Sequence, residues 1–447
     1  MKKVSFKIGG VRIGGGAPVS VQTMCNTDTR DIAASVAQCR DMAAAGADII
    51  RLTTQGLREV EGLSHIKAQL RSEGIMTPLV ADVHFSANVA LAAAEVAEKV
   101  RINPGNFAPV HEVACDKFSE LIEKCRKYDT AIRIGLNHGS LGNRITELYG
   151  NTPFAMKEAV MEWLQMCIEK DFHKVVISLK ASNTRVMTDA YRLLYAQMEK
   201  MGRIYPLHLG VTEAGNGDEG RIKSAVGISA LLSAGIGDTI RVSLTENPVN
   251  EIAAGRAIVQ ACQSIKEERQ TKSDDSQSKD DYLTEQFGPI TAENWNEWII
   301  RASCEYGPAL LDSHIDDFDL NGSTIAGKPI PAEKLEYFKD LLLQASRRKF
   351  TRPEYIACPG CGRTQYDLEK TFNEVKRRTS HLKGMRIAIM GCIVNGPGEM
   401  ADADWGYVGE GGGKVTLYRG KTPVLRSVPQ EEAIDRLLEL IEKSHNP

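Results

Sequence analysis

Short apolar, β-branched runs recur through the first 250 residues, each followed by a stretch long enough for a helix and two loops. They are VSVQTM (19–24), DIIRLT (48–53), PLVADVH (78–84), KVRINP (99–104), AIRIGLN (131–137), KVVISLK (174–180), PLHLGVTE (206–213) and TIRVSLT (239–245). Segments between them, such as ANVALAAAEVAEK (87–99) and AMKEAVMEWLQMCIEK (155–170), carry Ala-rich helical patterns and often end in Gly. Eight strand-then-helix units predict an α/β fold with an N-terminal (β/α)8 barrel. A doubly wound open sheet is the alternative, since the pattern by itself does not reveal closure.

The pattern then breaks. EERQTKSDDSQSKDD (267–281) contains no apolar residue and reads as a solvated linker. Residues 282–349 carry their own aromatics in NWNEWII and EYFKDLLLQASRRKF, which predict a short helical insertion. From 354 onward the alternation resumes, with strands expected near 385–391 and 413–420 and helices near 365–380 and 430–444. The chain therefore divides into a barrel domain over 1–265, a linker and insertion over 266–350, and a compact α/β module carrying cysteines over 351–447.

Charge narrows the function. The 447 residues hold 55 basic and 58 acidic side chains, a net charge of −3, which gives no global attraction to nucleic acid or an anionic membrane. No stretch approaches eighteen consecutive apolar residues and the start lacks a signal-peptide core, so the expectation is a soluble, cytoplasmic protein. Locally the picture differs. The ends of seven of the eight predicted strands carry Arg51, Asp82, Arg101 with Asn103, Arg133 with Asn137, Lys180, Glu213 and Arg241. Catalytic groups of a closed barrel sit at that rim, and there five cations face two anions. Four of the five are arginines, whose planar fork matches phosphate oxygens in pairs, so a phosphorylated ligand fits and a diphosphate fits best. The turns NPGN (103–106) and NHGSLG (137–142) add backbone donors, while His84, His138 and His208 are secondary candidates for proton transfer.

Cys358 and Cys361 form a C-x-x-C pair in YIACPGCGRT, and thirty residues separate Cys361 from Cys392 in MGCIVNGPGEM. Ten cysteines in a chain of this length are too sparse for a disulfide scaffold. A structural zinc site wants four closed ligands and usually two such knuckles; here only His381 is available to complete a Cys3His set. A thioredoxin-type pair belongs early in a βαβ unit with no third cysteine. Three cysteines without a fourth suit a [4Fe–4S] cluster with one differently ligated iron. Glu399, seven residues after Cys392 on a Gly-Pro-Gly turn, is an available oxygen donor, with Glu410 as the nearest other carboxylate. A barrel binding a phosphate ligand beside a zinc-ribbon interaction module remains the competing reading.

CPGCGRT, MGCIVNGPGEMADADWGYVG, RINPGN, IRIGLNHGSL, HLGVTEAG and IRVSL together resemble the 4-hydroxy-3-methylbut-2-enyl diphosphate synthase family of the methylerythritol phosphate route to isoprenoids. The resemblance covers 1–265 and 350–447. It implies a barrel that binds 2-C-methyl-D-erythritol 2,4-cyclodiphosphate and a C-terminal domain, similar to a sulfite-reductase module, that carries a [4Fe–4S] cluster. Cys358, Cys361 and Cys392 match the family's cluster cysteines and Glu399 its fourth ligand. The rim residues, with Ser243 of the IRVSL motif, match the substrate cradle, and Glu213 stands where proton transfer is proposed.

The implied reaction is a reductive ring opening with loss of water, supplied with electrons by ferredoxin or flavodoxin. The resemblance also marks a departure. Some members carry a large extra domain between barrel and cluster module and can close the site within one chain; members without it close the site across a homodimer. Here only about 85 residues stand at that place, which leaves both arrangements open.

Overall fold

A computed structural model describes residues 2–275, 287–393, 396–400 and 402–445; the side chain of Glu399 lies outside what is described. The expected linker therefore falls partly outside the described residues.

Eight parallel strands form the first body: β1 (Ser20–Met24), β2 (Ile49–Thr54), β3 (Leu79–Val83), β4 (Lys99–Ile102), β5 (Ala131–Asn137), β6 (Val175–Lys180), β7 (His208–Leu209) and β8 (Thr239–Ile240). They pair in the order β7-β8-β1-β2-β3-β4-β5-β6. A parallel bridge from Ile177 of β6 to Leu207, just ahead of β7, joins the two ends, and the Ile177 amide donates to the Pro206 carbonyl at 2.9 Å. The sheet is thus a closed barrel and not an open one. Its strands read as unbroken apolar runs because both faces are buried, inward against the barrel core and outward against helices.

The helices follow strand by strand: α1 (Ile32–Ala44), α2 (Leu57–Ser72), α3 (Ala87–Ala93), α4 (His111–Lys127), α5 (Asn143–Tyr149) with α6 (Pro153–Glu169), α7 (Thr184–Lys200), α8 (Gly217–Leu232) and α9 (Pro248–Asp275). Side-chain caps set several starts, as where Asp31 accepts from the Ala34 amide at 3.0 Å. An N-terminal hairpin, Ser5–Ile8 with Val11–Gly14, buries Ile8 and Ile13 against Ile49, Val80, Ala131 and Val176 and so plugs the N-terminal end of the barrel. The opposite end is left for chemistry. α9 runs to Asp275, so the first part of the apolar-free stretch from 267 continues a helix.

β7 and β8 are far shorter than the runs 206–213 and 239–245 predicted. Their downstream residues leave the ladder to meet the second body: Ala214 bridges Ala357, and Thr245 Oγ1 donates to the Cys358 carbonyl at 3.0 Å.

Residues 287–349 place α10 (Trp295–Leu311) and α11 (Ala332–Ala345) on the outside of the barrel. α10 lies so close to α8 that a Cβ on Gly307 would come within 2.8 Å of Val226. Trp298 and Phe338 close the seam edge to face, Trp295 Nε1 donates to Asp218 at 2.9 Å, and Arg192 grips both oxygens of Asp312 at 2.7 Å.

The last body is a five-stranded sheet in sequence order, β9 (Glu354–Ala357), β10 (Arg386–Met390), β11 (Trp405–Gly411), β12 (Lys414–Arg419) and β13 (Thr422–Pro429), parallel through β11 and antiparallel beyond. α12 (Leu368–Thr379) and α14 (Gln430–His445) cover it, with Phe372, Val375, Leu437 and Ile441 in its core. α13 (Gly396–Glu399) is a single turn after β10. Among the described residues no helix is long and apolar enough to cross a membrane.

Candidate active site

One cavity lies between the C-terminal mouth of the barrel and the cysteine module of the same chain. Its lining includes Met24, Arg51, Asp82, His84, Arg101, Arg133, Asn137, Lys180, Glu213, Arg241 and Ser243 from the barrel. Cys358, Cys361, Arg363 and Cys392 face it from the module. Of the site residues whose side chains are described, Asn103 alone is not among the lining; Glu399 lies outside the described side chains. Asn103 is buried but turned into its own loop, where it caps the turn at Pro104–Asn106 by accepting from the Gly105 amide at 3.0 Å and donates to Ser140 Oγ at 3.1 Å. The backbone at 399 ends α13, six residues after the exposed Ile393.

The cations are buried and poorly satisfied. Arg51 turns its Nε and Nη2 on the Met24 sulfur, at 3.0 and 2.8 Å, a weak acceptor for a guanidinium. Burial pulls its pKa down to about 10; Asp82 opposes that, while Arg241, Arg101 and Arg363 add to it. Arg133 is 1% exposed, and its Nε and Nη1 have no hydrogen-bond partner among the described residues. Lys180 is pushed well below its ordinary value by burial and by Arg133 and Arg241. Arg101 is better held, donating to Asp82 at 3.2 Å and to the Gly135 carbonyl at 2.9 Å and contacting His84 Nε2 at 2.6 Å. Arg241 is neutralised by Glu251, at 3.1 Å from Nε and 2.9 Å from Nη2. Six lining cations thus face Asp82, Glu213 and the Glu251 behind Arg241. Uncompensated buried charge costs several kcal/mol per ion, at ~3–5 kcal/mol when one partner of a buried pair is missing, and an anionic ligand is the natural relief.

Backbone geometry permits this crowding. A Cβ on Gly210 would lie 2.4 Å from the Arg241 carbonyl oxygen and 2.9 Å from Lys180 Nζ, so only glycine lets the chain after β7 pass between the Arg241 backbone and the Lys180 ammonium. Glu213 is buried and sits at φ +49°, a conformation a non-glycine residue holds only when its surroundings impose it. The Thr212 hydroxyl donates to its carboxylate. His84 and His208 are buried beside the cations; burial and Arg101 hold His84 down to about 3, and burial with Lys180 holds His208 well below the usual range, so both are neutral at pH 7. Neutral imidazoles beside Arg101 and Arg133 reduce like-charge repulsion. His138 lies 3.6 Å from Asp402 of the module and does not line the cavity.

On the opposite wall the three cysteines lie on turns following β9 and β10. The Gly391 amide donates to Cys358 Sγ at 3.2 Å, and the Cys361 amide donates to Thr364 Oγ1 at 3.0 Å. Burial raises the Cys358 thiol, with Cys361 and Cys392 adding to the effect. Among the described residues no three His, Cys, Asp or Glu side chains gather closely enough to hold one metal ion. His381, the residue needed for a Cys3His zinc set, is exposed beyond the end of α12 and away from the cavity. Cys358, Cys361 and Cys392 all line the cavity and are the soft donors there that could hold a cofactor.

Two residues of the site escape sequence reasoning. Glu251 sits in the first turn of α9, and its TENPVNE context reads as an ordinary acidic helix start. Arg363 belongs to the CPGCGRT motif, but nothing in the sequence says that its side chain crosses to the barrel, where its Nη2 lies 3.5 Å from Asp82.

A closed (β/α)8 barrel with a cationic mouth, covered by a cysteine-bearing α/β module in one chain, defines the class. Family models match both parts: the GcpE TIM-barrel domain over residues 3–256 and the GcpE protein C-terminal domain over residues 354–443. The chain belongs to the GcpE family. It is 37% identical over 594 residues to the 4-hydroxy-3-methylbut-2-en-1-yl diphosphate synthase (flavodoxin) of Bacteroides thetaiotaomicron, with 97% of this chain and 96% of that protein covered. It is 38% identical over 561 residues to the enzyme of the same name from Porphyromonas gingivalis (98% and 96% covered). Against the ferredoxin enzyme of Synechococcus sp. it is 40% identical over 454 residues (98% and 92% covered). The first two alignments run well beyond the 447 residues of this chain, so those relatives carry long segments it lacks; the third does not.

Proposed function

We propose that this chain converts 2-C-methyl-D-erythritol 2,4-cyclodiphosphate to 4-hydroxy-3-methylbut-2-enyl diphosphate by reductive ring opening and loss of water, in isoprenoid biosynthesis. The observation that carries this reading is the shared cavity, in which under-satisfied barrel cations face Cys358, Cys361 and Cys392. The names of the relatives support the reaction and a flavodoxin or ferredoxin as electron donor. The division of labour we infer follows the chain: 1–265 binds substrate, 266–350 fastens the module, and 351–447 holds the cofactor.

Arg51, Arg101, Arg133, Lys180 and Arg241 would hold the two phosphates, with Asn137 and Ser243 supplying neutral hydrogen bonds. Their charge is in place before the ligand arrives, so binding releases repulsion instead of ordering side chains. Asp82 keeps Arg101 oriented; its carboxyl lies well below the usual range because Arg51, His84 and Arg101 outweigh the cost of burial. Glu213, with Thr212 donating to it, holds the proton that leaves with the departing hydroxyl.

Cys358, Cys361 and Cys392 would hold a [4Fe–4S] cluster with Glu399 as its fourth ligand, which supplies two electrons one at a time and, at the iron not bound by cysteine, Lewis acidity. Anaerobic purification followed by iron and sulfide analysis, and turnover of the cyclodiphosphate with reduced flavodoxin or ferredoxin, tests the reading. A colourless protein without iron that fails to consume the cyclodiphosphate overturns it.

A further inference from the structure

Arg363 stands two residues beyond Cys361, so its backbone moves with the cysteines, yet its side chain ends among barrel residues. It is 6% exposed. Among the described residues its one ion pair is with Asp82 Oδ2 at 3.5 Å, too long for a good hydrogen bond. Asp82 already serves Arg101 at 3.2 Å and His84 at 3.3 Å. The Cys361 side chain is a further contact. Arg363 Nε and Nη1 are buried with no hydrogen-bond partner among the described residues, and the side chain lines the cavity with Arg51, Arg101, Arg133, Lys180 and Arg241. A guanidinium with two idle donors, placed among five other cations and sharing one carboxylate, is arranged for an anion the protein does not itself supply.

The loop that presents it is fixed in place. A Cβ on Gly362 would fall 2.6 Å from the Thr27 carbonyl oxygen and 3.2 Å from Asp28 Cα, so the module's backbone lies directly on the β1–α1 loop of the barrel. Arg363 therefore reaches the cavity from the wall opposite the barrel cations.

We propose that Arg363 is a further substrate-binding residue, resting on the function proposed above: it exchanges Asp82 for a phosphate oxygen of the diphosphate and completes the cradle from the cysteine side. The bound anion then bridges the two bodies. A single residue thereby couples substrate occupancy to the approach of the cysteines toward the reacting carbon.

Arg363→Met and Arg363→Lys, purified anaerobically with iron content measured, test this by calorimetric binding of inorganic pyrophosphate and of the cyclodiphosphate, and by KM and kcat. For Arg363→Met, with iron content unchanged, we expect both Kd values and KM to rise roughly 10- to 100-fold, the range for a charged hydrogen bond. Arg363→Lys keeps the charge but not the fork, and should fall between wild type and Arg363→Met in affinity. Unchanged Kd for both ligands in both variants overturns the proposal. So does a fall in kcat alone with Kd intact, which assigns Arg363 to cofactor support. Failure of the wild-type protein to turn over the cyclodiphosphate counts against the proposed function, while the pyrophosphate comparison still reads Arg363.

Discussion

The two walls of the cavity are built in opposite ways. On the barrel side Arg51, Arg101 and Arg133 project from paired strands, with Arg51 opposite Met24 and Arg101 opposite Arg133 in the ladder, so main-chain pairing fixes their positions before any side-chain contact forms. On the module side Cys358, Cys361 and Cys392 sit on turns held by a few single hydrogen bonds and by contact with the barrel itself. The comparison teaches where rigidity is needed. Like charges can be kept together only by a frame stiff enough to resist their repulsion, whereas thiols repel little and can be left to loops that a cofactor would tie together.

That contrast predicts the largest effects on the loop side. Cys358→Ser, Cys361→Ser or Cys392→Ser should each abolish iron and sulfide in anaerobic preparations while far-UV circular dichroism stays unchanged, because an iron loses its soft ligand and no other group on these turns replaces it. Cys167→Ser places a hydroxyl in the barrel core, where Cys167 is fully buried; it should lower Tm and leave iron content alone. Full iron occupancy in any of the first three variants removes that residue from the ligand set.

Next in size is Glu213→Gln. The carboxylate is buried at a strained backbone position beside Thr212, and the substitution keeps shape while removing the proton it can hold. Turnover should fall by about 10²- to 10⁴-fold, the range for general acid catalysis, with iron content and substrate Kd little altered. A fall in Kd-derived affinity with kcat preserved would instead place Glu213 among the binding groups.

The walls also differ in how far the sequence discloses them. The barrel strands are legible because burial on both faces gives unbroken apolar runs, and their rim charges can be read from the same strings. Closure rests on the Ile177–Leu207 bridge, which no pattern marks. In the module the predicted β10 and β12 formed, but β13 (Thr422–Pro429) did not announce itself: it is mostly exposed and carries two prolines, features that argue against a strand unless it lies at an edge, as it does. Asn103 looks like a rim ligand from its place after β4, but local capping takes its side chain. Arg363 reads as one more motif residue, since side-chain reach across a body interface leaves no trace in spacing.

Arg133→Lys probes the stiff wall. Charge is retained, but one ammonium cannot reproduce a two-pronged contact with phosphate, and Nε and Nη1 are the atoms now idle. Substrate affinity should weaken by ~1.5–3 kcal/mol with the iron content unchanged. Unchanged kinetics would put Arg133 outside the cradle and weaken the idea that the barrel cations are held in waiting.

The smallest expected effect is at the seam that holds the walls together. Glu354, the first residue of β9, accepts from Lys223 of α8 at 3.2 Å and from Arg347 at 2.8 Å, which joins module, barrel and the chain leaving α11. Burial would raise its carboxyl, but Lys223 and Arg347 outweigh that and hold it below the ordinary value. A depressed carboxylate contributes stability above its unfolded pKa of about 4.3 that is lost as pH falls through its folded value. Lys223→Met removes one of the two cations and leaves Arg347 in place, so the carboxylate stays paired. The expected loss is ~1 kcal/mol near neutral pH, well under the cost of stripping a buried pair, and the difference from wild type should shrink as pH drops below about 4. Thermal unfolding between pH 3 and 7, with turnover on the same preparations, measures it. If Lys223→Met instead abolishes turnover while Tm scarcely moves, the module is not seated by many shared contacts but hinges on this one, and the stiffness credited to the barrel wall would have to be extended to the seam.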